Sequence, residues 1–313
     1  MAHPIAMAAQ FYFSHFPVEK GKWRLWEIFR KTRYYRSFRS GAHRTRYGFS
    51  MNIQSDQQID RVIYYWGCWE PNETDIIRKL LRPGYTFVDV GANDGYFSLL
   101  ASSLVGESGK VIALEPTPDI AAELRANIHL NGFKNISVLE RAASDVTGEL
   151  TLTTPLGAGS GMTTFRSVAG RSWRVKADRL DVLLSDSPPP NVVKVDVEGA
   201  ELKVLRGMEG LLKGEDAPHI LCEVTASFSR KSVIVQVPCT PSWSSLVIVR
   251  FSSRGRNFTH CLLGSINAVD RIAFCSQNRM CRQRGFGELL PDKREVRECD
   301  GSKSRSPLSA VRP

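Results

Sequence analysis

The sequence predicts an α/β protein, a three-layer sandwich in which helices cover both faces of a mostly parallel sheet. Three observations lead to this prediction. Between residues 84 and 225, short apolar runs alternate with helix-length segments, a pattern typical of parallel strands joined by crossover helices. A glycine-rich turn follows the first of these runs. The chain of 313 residues, 42% of them hydrophobic, is long enough to bury such a core without disulfides or a metal.

The first 50 residues form a basic and aromatic segment that we expect to cap the domain. They hold ten Lys and Arg residues against two acids. Trp23, Trp26 and Phe29, together with Ile28, recur at helical spacing, which predicts one basic amphipathic helix. Two interpretations stay open: the helix packs on the core as a cap, or it contacts a membrane surface or an acidic partner.

The second segment, residues 51–228, contains the predicted sheet. It opens with a short strand region and a helix whose apolar side carries Ile76, Ile77, Leu80 and Leu81, before a Pro-Gly breaker. The predicted strands cover residues 85–90, 110–115, 135–140, 191–197 and 219–224, and the predicted helices cover about 95–105, 117–131 and 199–213. The Thr- and Gly-rich stretch between 149 and 177 favours a hairpin or an active-site loop.

The third segment, residues 229–313, is basic and rich in Ser and Arg. The stretches SVIVQV and SSLVIVRFSS have the character of strands, but the sequence after residue 252 is aperiodic. We therefore expect most of this tail to be disordered. It also holds 5 of the 7 cysteines, without a CxxC pair or a zinc-ligand spacing, so we expect free thiols, a reducing compartment and no metal site.

Charge and hydropathy exclude several classes of protein. The net charge of +10 comes from the two flanks, whereas residues 51–228 carry 17 bases and 24 acids. An acidic middle does not fit a groove for a phosphate backbone, so we expect no nucleic-acid partner. No run approaches the roughly 20 apolar residues of a membrane span, and the N-terminus lacks the pattern of a secretory signal. We expect a cytoplasmic protein without an integral membrane segment, and the oligomeric state is left open.

The strongest motif is VDVGANDG (88–95), at the end of the first predicted strand. Glycine there lets the backbone turn sharply and approach a ligand, and the next helix presents its N-terminus. A dinucleotide fingerprint requires G-x-G-x-x-G, but Asn93 stands where the second glycine belongs. Asp89, two residues before Gly91, would repel a pyrophosphate and attract the ammonium of an amino-acid moiety. The motif, which Gly95 completes, therefore favours S-adenosylmethionine over NAD as the cofactor.

Two acids near later strand ends complete the predicted cofactor site. Glu115 ends the second strand, where an acid accepts hydrogen bonds from both ribose hydroxyls. Asp145 follows the third strand and is a candidate acceptor for the adenine amino group. A structural role stays open for both residues, because a solvated strand-end Glu and a turn-forming Asp are common.

A second block, VKVDVEGAELKVLRG (193–207), carries charges at the carboxyl end of a predicted strand. Open α/β sheets bind ligands at that edge, where charges persist when they are paired or used. Methyl transfer to oxygen requires the acceptor's proton to leave, so we predict Asp196 as the base or the acceptor-orienting group. Three roles stay open for Lys194: it pairs with Asp196, it stabilises a developing oxyanion, or its ammonium reaches solvent while its stem stays buried. Glu198 is a third catalytic candidate, although it and Glu201 also fit the N-terminus of a helix.

The two blocks, with YWGCWEP (65–71) upstream, resemble the FkbM family of methyltransferases over about residues 45–228. The pairing of DVGAN-x-G with KVDVEGAELKVLRG makes the resemblance specific. It implies a Rossmann-like methyltransferase fold and S-adenosylmethionine as cofactor. It also implies O-methylation of a small-molecule acceptor, through a hydroxyl of a sugar, a polyketide or a related metabolite.

The resemblance also assigns site residues. The family's cofactor residues correspond to Asp89, Gly91, Asn93, Gly95 and Glu115. Its second signature corresponds to Lys194, Asp196, Glu198, Gly199 and Glu201.

The sequence departs from the family after Glu223. Members continue with a helix and the closing strands of the sheet, whereas here TASF (225–228) leads into Arg-, Ser- and Cys-rich sequence. We expect a frameshift or a divergent C-terminus that leaves the sheet incomplete at its C-terminal strands. Two alternative functions stay open. One is a nucleic-acid methyltransferase that uses the basic flanks, although the sequence lacks an Asn/Asp-Pro-Pro-aromatic tetrapeptide; the other is a non-catalytic binding protein derived from a truncated methyltransferase.

Overall fold

A computed structural model describes residues 3–16, 21–155, 170–213, 216–225, 247–253 and 256–262. The helices, in chain order, are α1 (Pro4–His15), α2 (Lys22–Phe29), α3 (Gln58–Trp66), α4 (Pro71–Leu80), α5 (Tyr96–Val105), α6 (Pro118–Asn131), α7 (Leu180–Leu183), α8 (Glu201–Gly207) and α9 (Glu209–Lys213), with a 3-10 turn at Arg33–Arg36. The strands are β1 (Gly41–Arg44), β2 (Ser50–Ile53), β3 (Thr86–Val90), β4 (Lys110–Leu114), β5 (Ile136–Leu139), β6 (Ala142–Ser144), β7 (Gly148–Pro155), β8 (Gly170–Arg179), β9 (Val192–Val195), β10 (His219–Thr225), β11 (Val247–Ser253) and β12 (Arg256–Leu262).

Within the described ranges, seven strands form the central sheet in the order β12-β11-β10-β9-β3-β4-β5. Every neighbouring pair is parallel except β11 and β12, which are antiparallel. The five strands predicted from the sequence correspond to β3, β4, β5, β9 and β10, with ends that agree within two residues. The predicted α/β fold with a mostly parallel sheet is therefore confirmed.

The central strands are buried along their whole length, as in parallel sheets that helices cover on both faces. On one face, Phe87 belongs to a core with Leu100 of α5. On the other face, Val88 belongs to a core with Val204 of α8. Because side chains alternate along a strand, Asp89 lies on the face of Phe87, towards α5. Lys194 of β9 stands opposite Asp89 in the parallel register and therefore lies on the same face.

One predicted helix, at 199–213, is divided in the structure. α8 ends at Gly207, and Met208, with φ −120° and ψ 20°, separates it from α9. Glycine weakens a helix. Here it also permits close packing, because a Cβ on Gly207 would overlap the main-chain carbonyl oxygen of Ser144 in β6. α8 therefore ends at the residue, Gly207, that packs against Ser144 of β6.

The predicted hairpin is present as β7 and β8. These strands pair antiparallel from Gly148 opposite Ala177 to Pro155 opposite Gly170. β6 joins them as a parallel neighbour of β8. Residues 156–169, which connect the two strands, lie outside the described residues. The hairpin brings β7 to the wall of the cavity described below.

The N-terminal segment caps the domain through aromatic contacts. Phe13 of α1 stacks on Trp66 of α3, with ring centroids 5.4 Å apart. Trp26 of α2 meets Phe13 edge-on at 5.3 Å. Both Phe13 and Trp26 are buried, so the expected packing of this segment on the core is observed.

The predicted amphipathic helix is present as α2, but two details of the prediction are wrong. The segment contains α1 and α2, followed by a 3-10 turn, and the predicted apolar side of α2 is only partly correct. Trp26 is buried and Phe29 is half-buried, but Trp23 and Ile28 are exposed. The physical reason is that α2 is turned about its own axis relative to the prediction. The side that faces the domain carries Lys22, Trp26 and Phe29, at spacings of four and three residues.

The sheet continues beyond β10. β11 pairs parallel with β10, and β12 closes a hairpin with β11. β11 falls in the stretch SSLVIVRFSS, which has the character of a strand in the sequence. Among the described residues, the sheet therefore continues past Glu223, the residue after which we expect the sequence to depart from the family. The stretch SVIVQV and the chain after residue 262 lie outside the description, so the disordered tail and the frameshift remain predictions.

Two further expectations concern thiols and membrane spans. Cys68 and Cys222 are buried, and within the described residues neither forms a disulfide. None of the helices in the described part of the chain has the length and apolar character that a membrane crossing requires.

Candidate cofactor and acceptor site

A cavity opens at the carboxyl ends of β3, β4 and β9, the edge at which parallel α/β sheets bind ligands. The predicted site residues that line it are Gly91, Asn93, Glu115, Asp196 and Glu198. Apolar side chains complete the wall, among them Leu114, Ile120 of α6 and Leu152 of β7. The structure therefore brings together residues from both sequence motifs.

Glycines fix the loop after β3. Gly91 has φ +84°, and a Cβ on it would overlap the main-chain carbonyl oxygen of Asp196. Gly95 has φ +100°, and a Cβ there would overlap the side chain of Leu124 in α6. The first contact brings the loop against the segment after β9, and the second seats the start of α5 against α6. The two motifs of the sequence are therefore adjacent in space.

Asn93 stands between these glycines in a conformation that is uncommon for a residue with a side chain. Its φ is +50°, in the left-handed region that Asn tolerates better than most residues. Its Oδ1 is buried and has no hydrogen-bond partner in the described part of the chain. A buried acceptor without a partner costs about 1–3 kcal/mol. This loop therefore favours a ligand that brings a donor.

Glu115 is held by two main-chain N–H groups. Its Oε2 accepts from the amide of Asn93 at 3.1 Å, and its Oε1 accepts from the amide of Thr117 at 2.9 Å. Burial raises the pKa of this carboxyl, and the two hydrogen bonds act in the opposite direction. Each carboxylate oxygen has a second lone pair. Glu115 is therefore fixed in the cavity wall with acceptor capacity to spare.

Asp89 lies behind the cavity rather than in its wall. It is 1% exposed, and the hydroxyl of Ser98 in α5 donates to its Oδ2 at 2.7 Å. Its Oδ1 has no hydrogen-bond partner among the described residues. Burial raises the pKa of Asp89, and the positive charge of Lys194 opposes that rise. Asp89 thus contributes a buried carboxylate directly below the glycine loop.

Lys194 and Asp196 form an ion pair at the end of β9. The Nζ of Lys194 donates to Oδ2 of Asp196 at 2.8 Å. The side chain of Lys194 is 5% exposed, and that of Asp196 is 26% exposed. Lys194 Nζ also lies 4.6 Å from the centroid of the Phe97 ring, within cation–π range. The pair therefore combines an enclosed cation with a carboxylate that reaches the cavity.

Three carboxylates act on the ammonium of Lys194. Burial lowers its pKa, but Asp196, Asp89 and Glu70 outweigh burial and hold the pKa above its usual value. Asp89 neighbours Lys194 across the parallel strands β3 and β9. Glu70 stands at the start of α4 in a left-handed conformation, with φ +39°. Lys194 is therefore charged at neutral pH, and pairing, rather than snorkelling, describes it.

Glu198 and Glu201 have different surroundings. Glu198 lines the cavity, in a left-handed conformation with φ +49°. Glu201 is buried in the first turn of α8, where its Oε1 accepts from the amide of Gly199 at 2.7 Å. Burial raises the pKa of Glu201 to about 7, and the hydrogen bond from Gly199 acts against this rise. The role of a helix N-terminal acid therefore fits Glu201, and Glu198 stays a candidate for the site.

The structure does not bring Asp145 to the cavity wall. Asp145 follows β6 and accepts a hydrogen bond from the hydroxyl of Ser144 at 3.1 Å. The residues at 141–143 line the cavity instead. Its contact with an adenine amino group stays a prediction. Within the described residues, no group of three His, Cys, Asp or Glu side chains is suited to a metal ion.

Sequence reasoning missed three residues of this site. Ser98 holds Asp89, Glu70 acts on Lys194, and Arg141 lines the cavity. Ser98 was detectable as a polar residue within the apolar start of α5, and Glu70 as an acid that follows an aromatic stretch. Nothing in the sequence distinguishes Arg141 from other arginines near strand ends.

Comparison with known proteins finds methyltransferases. A family model described as the methyltransferase FkbM domain matches residues 89–242. Hexuronic acid methyltransferase AglP of Haloferax volcanii is 30% identical over 192 residues, which cover 60% of this chain and 74% of that protein. Protein-L-isoaspartate O-methyltransferase 2 of Archaeoglobus fulgidus is 37% identical over 59 residues, 19% of this chain and 27% of that protein.

Among solved structures, an rRNA methylase from Streptococcus thermophilus aligns with a TM-score of 0.32 at 11% sequence identity, over 57% of this chain and 69% of that one. The order and direction of the strands establish the fold. The family match and the relatives establish the class of protein.

The parallel sheet, the glycine loop and the carboxylates at its edge define a methyltransferase that depends on S-adenosylmethionine. The chain belongs to the FkbM methyltransferase family. The resemblance that the two sequence blocks carry is thus confirmed. The family match also reaches residue 242, further than the resemblance that ends near residue 228.

The residues of this edge fit S-adenosylmethionine on two observations. The first is chemical: Asp89 and Asn93 each have a buried oxygen without a hydrogen-bond partner in the described part of the chain, and the cofactor carries an ammonium, a sulfonium and hydroxyl groups. The second is the wall, in which Leu114, Ile120 and Leu152 offer apolar contacts suited to an adenine ring.

Proposed function

We propose that this protein transfers a methyl group from S-adenosylmethionine to a hydroxyl oxygen of a sugar, a polyketide or a related small metabolite. The observation that supports this most directly is Asp196, a partly exposed carboxylate in the wall of the cavity that the glycine loop also lines. The name of the Haloferax volcanii relative, a hexuronic acid methyltransferase, favours a sugar acid among these acceptors.

The cofactor would be held by carboxylates on the β3 side of the cavity. Glu115 would accept the two ribose hydroxyls with the lone pairs that its main-chain hydrogen bonds leave over. Asp89 would attract the ammonium of the amino-acid end by charge, from its buried position below Gly91. Gly91, Asn93 and Gly95 would shape the loop that approaches the cofactor.

The proton of the acceptor would leave through Asp196. S-adenosylmethionine, when bound, supplies an electrophilic methyl group on a sulfonium. Asp196 accepts the proton of the attacking hydroxyl, so that the oxygen does not keep a positive charge. Lys194 occupies one carboxylate oxygen of Asp196 and leaves the other for the acceptor. Because Lys194 is itself held as an ammonium, it orients the base and does not replace it. Glu198, in the same wall, is the second candidate for this role.

The test is a product assay with the full chain and methyl-labelled S-adenosylmethionine. The acceptor panel contains hexuronic acids, neutral sugars, a polyketide with free hydroxyls and a short RNA. We expect label in a methyl ether formed at a hydroxyl oxygen of one small-molecule acceptor, and none in RNA. Binding of the unlabelled cofactor is measured by calorimetry in parallel, since it separates an inactive protein from an unsuitable acceptor.

Two outcomes would contradict the proposal. Label in RNA and in no small molecule would assign the basic flanks to a nucleic-acid substrate. A folded protein that does not bind S-adenosylmethionine at millimolar concentration would be a non-catalytic relative of the family.

A further inference from the structure

The outer side of α1 is apolar, which is unusual for a helix at a protein surface. Its sequence, PIAMAAQFYFSH, contains no Lys, Arg, Asp or Glu. Ala6 and Phe13 form its buried side. Met7 and Phe11, one turn apart on the other side, are 56% and 66% exposed. A helix with one face in water normally turns charged side chains outward, and α1 has none to turn.

α2 exposes large apolar side chains as well. Lys22 and Trp26 are buried, whereas Trp23 is 63% exposed, Ile28 is 66% exposed and Leu25 is also exposed. Trp is enriched where proteins meet the membrane–water interface, because its ring is apolar and its N–H is polar. Trp23 lies on one side of the buried stripe of α2, and Leu25 and Ile28 lie on the other. Together with Met7 and Phe11 of α1, these exposed side chains are called the N-terminal apolar face.

Both helices are fixed to the domain, so this exposure is not that of a loose terminus. Phe13 stacks on Trp66 of α3, and Trp26 packs edge-on against Phe13. Lys22 Nζ donates to the main-chain carbonyl of Phe16 at 2.8 Å and lies 5.3 Å from the centroid of the Trp66 ring. The inner side chains therefore hold α1 and α2 in place while the N-terminal apolar face stays outside.

Exposed basic residues accompany this face. They are Arg24, Arg30, Lys31, Arg33, Arg36 and Arg39. The 3-10 turn that carries two of them touches the start of α1, where the amide of His3 donates to the carbonyl of Ser37 at 3.1 Å. The acid of α2, Glu27, pairs with Arg30 at 2.7 Å. The segment that carries the exposed apolar side chains is therefore positively charged, with little negative charge to offset it.

We propose that the N-terminal apolar face binds the surface of an anionic lipid bilayer. The apolar side chains would enter the boundary between headgroups and acyl chains, and the basic side chains would contact the anionic headgroups. The positive charge of the segment favours an anionic lipid surface over a protein partner at this face. A second copy of the chain would bring a like-charged surface against this one, and a neutral apolar protein would leave the arginines without a counterpart. Binding of this kind is peripheral and needs no spanning helix.

The experiment is a flotation assay of the full chain with vesicles of phosphatidylcholine, with and without phosphatidylglycerol. We expect clear binding to the mixed vesicles, weak binding to phosphatidylcholine alone, and a decrease as salt is added. Replacing Arg33 or Arg36 by Gln should lower partition onto the mixed vesicles by about fivefold for each residue. The same variants should leave the weak binding to neutral vesicles unchanged.

The apolar contribution is tested with Phe11→Asp. Removing a large apolar side chain from the interface should lower partition by at least about tenfold. The matched control is Val182→Asp, which changes an exposed apolar residue of α7, outside the N-terminal segment, and should bind vesicles like the wild type. Thermal unfolding of both variants verifies that they fold. Trp23 gives a second measurement: its emission should shift to the blue on binding, and Trp23→Phe should remove that part of the shift.

Three results would overturn the proposal. The first is a folded wild-type protein that binds neither kind of vesicle. The second is a Phe11→Asp variant that floats with mixed vesicles as the wild type does. The third is a wild-type protein that ignores vesicles but self-associates, together with a monomeric Phe11→Asp variant, which would assign the face to a second copy of the chain.

Discussion

Strands β3 and β4 on one side of the cavity and the segment after β9 on the other hold their carboxylates in different ways. On the β3 side, Asp89 and Glu115 are buried, and hydrogen bonds from Ser98 and from main-chain amides fix them. On the β9 side, Asp196 is partly exposed and is held by the cation of Lys194. A carboxylate that binds a ligand profits from being fixed, whereas one that takes up a proton must reach the acceptor.

This difference suggests that binding and proton transfer are assigned to different strands. Lys194 connects the two sides, because it pairs with Asp196 and neighbours Asp89 across β3 and β9. Substitutions on each side should then have separable effects on cofactor affinity, on turnover and on stability.

The largest expected effect is on turnover, from Asp196→Asn. Asparagine keeps the shape and a hydrogen-bonding oxygen but does not accept a proton. We expect turnover to fall by on the order of 10²- to 10⁴-fold, with cofactor affinity nearly unchanged. Single-turnover kinetics and calorimetry with S-adenosylmethionine measure the two quantities. A variant with full turnover would move the base to Glu198 or to solvent, and a variant that does not fold would make Asp196 structural.

The second effect is on stability, from Lys194→Met. This change leaves Asp89 and Asp196 near each other without their shared cation, and breaking a buried ion pair in this way costs about 3–5 kcal/mol. Urea unfolding measures the loss in the free energy of unfolding. Lys203→Met, at an exposed position of α8, is the control and should have little effect. If Lys194→Met were as stable as the control, the ion pair would not hold the two strand ends together.

The third effect is on cofactor affinity, from Glu115→Gln and Asp89→Asn. For Glu115→Gln, loss of a charge-assisted hydrogen bond to the ribose costs about 1.5–3 kcal/mol, or on the order of 10- to 150-fold in affinity. Asp89→Asn removes the charge that attracts the ammonium and should lower the affinity as well. Calorimetry should detect this loss, and turnover at saturating cofactor should change much less. Asp145→Asn sharpens the comparison, since Asp145 does not line the cavity. An equal loss of affinity in that variant would support the adenine contact that the sequence predicts.

The smallest effect is a pH dependence of stability, from Glu201. Burial raises its pKa from the ordinary value of 4.5 to about 7. The folded protein therefore binds more protons than the unfolded chain in this window, and stability falls as the pH rises from about 4.5 to 7. Glu201→Gln should remove this contribution and raise the free energy of unfolding at pH 8 by about 1–3 kcal/mol. The melting temperature at pH 8 should then rise by a few degrees. Glu107→Gln, an exposed acid before β4, should leave the curve as it is.

The sheet could be predicted from the sequence because its central strands are continuous apolar runs between breakers. β3 and β9 are examples, and the charged residue in each stands out against that background. The same logic located the cavity residues, since parallel strands end at one edge. α3 was not predicted, because its residues QIDRVIYYW include several β-branched and aromatic side chains that do not favour a helix on their own.

The contacts between elements could not be predicted. Nothing in the sequence says that Glu70 acts on Lys194, because the two are far apart along the chain and meet only after folding. The rotation of α2 has the same origin: Trp23 and Trp26 are equally apolar, and packing against Phe13 and Trp66 selects Trp26 for the interior.

The close approach of Gly91 to the main chain of Asp196 has a consequence for protein engineering. The loop after β3 and the segment after β9 leave no room for a side chain between them, so each is shaped to fit the other. A chimera that takes only one of them from a relative would join two surfaces that were never matched. Exchange of acceptor specificity within this family should therefore succeed more often when both pieces are transplanted together.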